Sequence, residues 1–470
     1  MTLAIPLIWV VFPIIIAVLS ALVYKRNVLS ILLVSLASFA LALLAAFFPE
    51  DLMLQIGPIE LKFIESMTIL ERQIKIEYEL MPLLGFIYGM TGLWALSSGF
   101  PNAPVLFRPI SLLITALLTA AMGVEPFLYA ALLIQTAALV SIPILSSPSK
   151  SSDRGVLRFL TLETLAMPLI LLAGWLLSGV ETLPAESPLI SQTTVVLGLG
   201  FAIWLGVFPF HSWVPMVSRH SAPNVFSFLL FTAPTVILVF SLNFLDRYTF
   251  LRSLENFEPA LRFFGTWMIV FGGLWAAFQE NLKRVLGFAV LVETGFALLA
   301  IGSFQQGGLT WMMMLIPGRA LGFWLLGFAL TALENRNGEL DIASIRGIAR
   351  RYPFLATGTL VALLSIAGLP LLASFPIKSL LLSTTFTASS SLGIWGFLGS
   401  MGLFFVTLRI LAAMITPDED RFFTKWQIGE KPIEYVPILI LIVILIAIGL
   451  FPHTFLGWIT TTLTAFTQLR

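Results

Sequence analysis

Apolar residues run along this chain in long blocks, and polar residues collect in the short stretches between them. Fourteen blocks lie near residues 3–23, 28–48, 80–99, 108–123, 126–146, 157–178, 192–209, 224–245, 260–279, 284–303, 309–330, 353–388 (interrupted), 391–415 and 434–456. A stretch of ~20 mostly apolar residues crosses the hydrocarbon of a bilayer as a helix, the form that satisfies its own backbone there. The pattern therefore predicts an all-α integral membrane protein with about 14 transmembrane helices. The first block contains Pro6 and Pro13 and lacks the charged start of a cleavable leader, so it is read as the first helix of the mature protein.

Composition agrees. Of 470 residues, 58% are hydrophobic and 11% charged, and the mean hydropathy is +0.98. Twenty-six basic and 25 acidic residues cannot coat a soluble protein of this length, and a net charge of +1 provides no field for nucleic acid. The absence of cysteine excludes disulfides, cysteine-ligated iron–sulfur clusters and thiol catalysis. Three histidines, His211, His220 and His453, leave little for haem or zinc. No nucleotide loop, flavin or nicotinamide fingerprint or quinone site is legible, so no cofactor and no metal are expected. Redox chemistry, if any, belongs to a partner.

Charge placement orients the helices. With the N-terminus outside, sixteen basic residues fall in inner loops, among them Lys25, Lys150, Lys283, Arg336, Arg421 and Lys425. Seven, including Lys62, Arg72 and Arg470, fall outside with the acidic stretch Glu50 to Glu79 and the pair Glu181 and Glu186. This asymmetry fits both termini outside. The corresponding organisation is 1–100, N-terminal helices with an acidic outer loop; 101–245, a first repeat; 246–415, a second repeat; and 416–470, an inner loop and the last helix. Arg319, Lys378 and Arg409 remain inside apolar blocks, where a charge costs ~3 kcal/mol or more and marks a functional candidate. Arg409 lies near the inner end of its helix and is equally well read as a snorkelling anchor.

Two blocks are broken by proline. The seventh ends in Gly206-Val207-Phe208-Pro209-Phe210-His211-Ser212-Trp213-Val214-Pro215, and the twelfth runs through Gly368-Leu369-Pro370 and Phe375-Pro376-Ile377-Lys378. Proline removes a backbone donor, and interrupted helices in corresponding halves point to inverted repeats around a midplane path. The plainer reading is a pair of packing kinks. His211 is expected to satisfy carbonyls freed at the first break, while His220 and His453 read as loop residues.

The string from Phe208 to Pro215, followed by Ala222-Pro223, resembles the PxHxWLP…AP signature of the antiporter-like membrane subunits of respiratory complex I (NADH:quinone oxidoreductase) and of Mrp-type Na+/H+ antiporters. Asn281-Leu282-Lys283-Arg284-Val285-Leu286-Gly287-Phe288 resembles the family's D-x-K-R-x-x-A-Y, with Gly295 beyond it. Arg346-Gly347-Ile348, Pro353, Gly368-Leu369-Pro370, Phe375 and Lys378 resemble its approach to the broken twelfth helix. The resemblance runs from about residue 80 to 415 and identifies a divergent member. It implies a bundle of two inverted repeats, broken at helices 7 and 12, in a bacterial cytoplasmic or equivalent energy-converting membrane. It also implies proton translocation, or H+ for Na+ exchange, along a midplane axis of charged residues, with sister membrane subunits alongside. No long lateral helix is expected after the last span.

Departures from the family are concentrated in the first half. The family's helix 7 lysine falls on Trp204, its helix 8 lysine on Thr235 beside Pro234, and its helix 5 glutamate on Gln135. Pro317 takes the place of a histidine, with Arg319 two residues on. In the second half Lys378 coincides with the helix 12 lysine, and Glu293 is a carboxylate able to pair with Lys283, Arg319 or Lys378. Lys378 is also readable as a cation that only pins the break, and Lys283 as an inner-mouth charge. Glu163 is a buried acid without family counterpart, five residues after Arg158, a poor helical spacing for a pair. Three functions follow: an ion-translocating subunit working through Glu293, Arg319 and Lys378; a non-conducting scaffold subunit; and a solute carrier lined by the Ser383–Ser391 run, which reads better as a loop or packing surface.

Overall fold

The computed structural model describes residues 2–49, 53–56, 59–69, 71–99, 103–146, 154–180, 188–416, 426 and 428–469. Glu50, Lys150, Glu181, Glu186, Arg421, Lys425 and Arg470 lie outside the described residues. Every apolar block falls on a helix. In chain order these are α1 (Phe12–Leu22), α2 (Asn27–Ala46), α3 (Met81–Ser97), α4 (Phe107–Gly123), α5 (Ala130–Leu145), α6 (Arg154–Val180) and α7 (Pro188–Trp204). After the short α8 (Trp213–His220) come α9 (Pro223–Arg247), the one-turn α10 (Phe250–Ser253), α11 (Phe257–Ala277), α12 (Leu282–Ile301) and α13 (Gly308–Asn337). The twelfth block splits into α14 (Pro353–Ala367) and α15 (Phe375–Ala388), and α16 (Ser390–Ile415), α17 (Pro432–Leu450) and α18 (Pro452–Thr460) complete the order. Among the described residues, ten helices are long and apolar enough to cross a membrane, and four apolar helices are shorter. The chain is an integral, multi-pass membrane protein.

One feature departs from the expected acidic loop. Residues 53–75 contain alternating runs such as Ile59-Glu60-Leu61-Lys62-Phe63 that form strands. Strand β3 (Ile59–Ile64) lies between β1 (Thr2–Ala4), parallel to it, and β2 (Met53–Ile56), antiparallel. A second sheet has the order β4 (Ser66–Ile69), β5 (Arg72–Lys75), β6 (Val124–Glu125).

Contacts at the helix ends test the predicted alternation. At one end Thr2 pairs with Lys62, Ile74 with Val124, Arg252 Nη1 donates to the Gln468 carbonyl (2.7 Å) and Gln305 N to Glu258 Oε1 (2.8 Å). At the other, Lys283 pairs with Glu334 (2.8 Å), Arg336 with Glu434 (2.6 Å) and Gly429 N donates to the Arg351 carbonyl (2.8 Å). Each contact joins loops that the hydropathy pattern places on the same side.

Helices apolar on every face either sit at the centre or face lipid, and here burial separates them. Within their apolar windows α12 and α13 are 94% buried and α9 is 89%, whereas α2 and α6 are 33% and α17 is 28%. The central helices α9, α12 and α13 also carry Thr235, Glu293 and Arg319, so the intramembrane charges are concentrated where lipid is excluded. Close packing of α11 on α16 depends on glycine: a Cβ at Gly273 would stand 1.7 Å from the Gly399 carbonyl oxygen, and one at Gly402 2.1 Å from that of Gly273.

Candidate functional site

Prolines at depth leave carbonyls without their helical donor, and in three places a side chain supplies one. In a regular helix the N–H of residue i donates to the carbonyl of i−4, so a proline at i frees that carbonyl. Pro13 frees that of Trp9, which accepts from the Tyr88 hydroxyl. Pro234, inside α9, frees that of Leu230, which accepts from Arg319 Nη2 at 3.0 Å. Pro370 offers no donor to the carbonyl of Ile366, which accepts from Lys378 Nζ. Two of the three donors are the charged residues singled out by their depth.

The second break builds the Lys378 site. The turn that ends α14 uses Gly368 at φ +81°, a left-handed conformation that glycine adopts without strain. A Cβ there would meet the Lys378 stem at 3.4 Å. Helix α15 begins at Phe375, with Pro376 in its first turn, where a missing N–H removes no helical bond. Pro376 therefore starts a helix, and Gly368 to Pro370 makes the break. Lys378 then projects to α12, where its ammonium lies 2.5 Å from Glu293 Oε1 and 4.7 Å above the Phe296 ring. Lys378 is 2% and Glu293 1% exposed. Lys378 both pins the break and forms a buried ion pair.

Arg319 is the third charge. It rises from α13 two residues after Pro317, which the helix passes without interruption, is 3% exposed, and has its guanidinium 5.7 Å from the Phe323 ring centre. Arg319, Glu293 and Thr235 line one cavity with Leu238, Ala297 and Met312. Its volume open to the centre of a water is about 10 Å³, room for about one water. Thr235 donates to its own helix at Phe231 (2.6 Å). Glu293 Oε2 and Arg319 Nε have no hydrogen-bond partner among the described residues. One carboxylate is thus bonded to Lys378 through one oxygen, and its other oxygen is free beside a guanidinium. Such a site can hold and pass a proton or a small ion, and it is too small for an organic solute.

The remaining candidates disperse. Lys283 forms its pair with Glu334, near the inner end of α12, ten residues and so about 15 Å along the helix from Glu293. Among the three partners considered for Glu293, the structure selects Lys378. Gln135 donates through Nε2 to Thr164 Oγ1 (2.9 Å). Arg409 donates to the Ala277 carbonyl at the end of α11 (3.0 Å) and is exposed, as an anchor would be. Glu163 does not pair with Arg158, whose Nη1 is directed at Met216 Sδ (3.7 Å). The Ser383–Ser391 run falls on the end of α15 and the start of α16.

The first break corrects the reading of His211. Its Nδ1 has no partner among the described residues, and its ring stacks on Phe208 with centroids 5.5 Å apart. The carbonyls at the end of α7 are bonded by backbone instead: Leu205 N donates to Phe201, Gly206 N to Ile203 and Val207 N to Ala202. Gly206 at φ +60° makes these turns possible. Pro209, after a cis peptide bond, precedes a turn of 3₁₀-helix, and Pro215 lies in the first turn of α8, which it starts instead of breaking.

Sequence reasoning missed Glu334, Phe296 and the two carbonyl acceptors. The i−4 rule applied to Pro234 and Pro370 points to Leu230 and Ile366; nothing in the sequence points to Phe296.

The profile of the family described as NADH:quinone oxidoreductase/Mrp antiporter, transmembrane, matches residues 155–405, the region that holds this site. NADH-quinone oxidoreductase subunit N of Deinococcus radiodurans is 28% identical over 294 residues, covering 58% of this chain and 55% of that one. The chain thus spans about half the length of the curated relatives it matches. In fold it is similar to a chain of respiratory complex I from Thermus thermophilus (TM-score 0.78, 20% identity, 99% of each chain). It is likewise similar to a chain of the Mrp complex from a Dietzia species (TM-score 0.77, 16% identity, 98% and 97%).

Proposed function

The chain belongs to the NADH:quinone oxidoreductase/Mrp antiporter transmembrane family, and on that premise we propose that it is a membrane subunit of a complex I-like or Mrp-like assembly that translocates protons, or exchanges protons for sodium. The observation that carries this reading is the Lys378–Glu293 pair, 2.5 Å apart with both side chains almost wholly buried. Removing two ions from water costs several kcal/mol each, and their mutual attraction does little more than offset this. Such a pair persists at depth when its charge is used.

Glu293 is the switching group. Bonded to Lys378, it holds the ammonium in its charged form; facing Arg319 across the shared cavity, it leaves Lys378 with the Ile366 carbonyl and free to release its proton. Arg319 keeps its charge throughout, so the carboxylate always has a cation to move to. Lys283 and Glu334 carry the path to the inner face, and Thr235 and Gln135 are its polar, uncharged positions. Sister membrane subunits flank the bundle, as the names of the relatives suggest, and lipid covers the rest. The test is ion flux in sealed vesicles holding the complete assembly, comparing the native chain with Lys378→Ala and Glu293→Gln at equal assembly. Both variants are expected to lose flux; native flux in both would make this chain a scaffold.

A further inference from the structure

A small cavity in the first half of the bundle contains an acid that the path above does not use. Glu163 of α6, 4% exposed, lines it together with Trp204, Trp213, Leu230 and Pro234. The residues that α4, α5, α7, α8 and α9 contribute are uncharged and, the two tryptophans apart, apolar. Glu163 has no ion-pair or hydrogen-bond partner among the described residues, and Arg158, on its own helix, is engaged with Met216.

A second observation concerns the same cavity. Trp204 and Trp213, 2% and 3% exposed, each have an indole N–H without a partner among the described residues. An indole nitrogen can only donate, and buried donors are rarely left unbonded. The volume open to the centre of a water here is about 20 Å³, enough for one water. Leu230 links this cavity to the charged site, because it lines the cavity while its carbonyl accepts from Arg319.

We propose that Glu163 is the proton-carrying carboxyl of the first half of the bundle, exchanging its proton through water held by the indole N–H groups of Trp204 and Trp213. Gln135, on the adjacent α5, and Trp204 cannot take up charge, whereas the acid on α6 can hold and release a proton. The inference rests on the ion-translocating reading of the second half and extends it across Leu230.

Infrared difference spectra of the full chain in its assembly, native against Glu163→Gln, read the acid directly. At neutral pH the native protein is expected to show a protonated-carboxyl stretch that Glu163→Gln lacks, and Trp204→Phe, which keeps a ring but removes the N–H, is expected to shift it. In vesicles Glu163→Gln should slow proton flux by roughly a hundredfold or more, the scale of a lost acid–base group, with Glu163→Asp recovering part of it. No such band, or native flux in Glu163→Gln while Lys378→Ala has lost it, overturns the role of Glu163 and leaves the function proposed above intact. Native flux in Lys378→Ala as well defeats both readings.

Discussion

Replacing both members of the Lys378–Glu293 pair is expected to destabilise the fold less than replacing Glu293 alone. At 2.5 Å and an effective permittivity of about 20, the attraction is about 7 kcal/mol. Desolvation of two ions costs several kcal/mol each, so the net contribution of the pair to stability is near zero. Glu293→Leu leaves the ammonium of Lys378 buried without a counter-charge, with the Ile366 carbonyl and the Phe296 ring as its partners, a loss of about 3–5 kcal/mol. Adding Lys378→Met removes that stranded charge and leaves one unpaired carbonyl, a cost of about 1–3 kcal/mol. Reversible unfolding in detergent, monitored by circular dichroism across the double-mutant cycle, measures the difference, and vesicle flux is read in parallel. The expected result is a double variant more stable than Glu293→Leu and without flux. A double variant destabilised by the sum of the two single losses would refute the reasoning and make the pair a structural bond.

Arg319→Met should cost about 1–3 kcal/mol by leaving the Leu230 carbonyl unbonded; adding Pro234→Ala, which restores the backbone donor, should recover part of it in the same unfolding assay. Lys283→Ala should destabilise less than Glu293→Leu, since the Glu334 carboxylate it leaves behind is 20% exposed, and flux measurements should show a smaller loss than Lys378→Ala. Gly273→Val should prevent the seating of α11 on α16, because even a Cβ there meets the Gly399 carbonyl at 1.7 Å; the readout is loss of monodisperse protein on size-exclusion chromatography.

Hydropathy over about 20 residues is a local property, so the membrane class and the position of each helical block were legible from the chain. So were the two breaks, because glycine and proline act on their own backbone, and so was the presence of Lys378, Arg319 and Glu293 at depth. The short strands were hidden because a period of two over four to six residues is a weak signal beside charges. Partnership was the part that local pattern could not decide. Glu293 had three cations within plausible reach, and only the packing of α15 against α12, across 85 residues, selects Lys378 over Lys283. Arg319 reaches a carbonyl 89 residues away, and His211, read as a cap, is displaced by backbone donors from the turn itself. Chain chemistry determined which groups need partners inside a medium without water, and tertiary packing decided which partners they find, because a hydrogen bond or ion pair requires contact within about 3 Å between helices far apart in sequence.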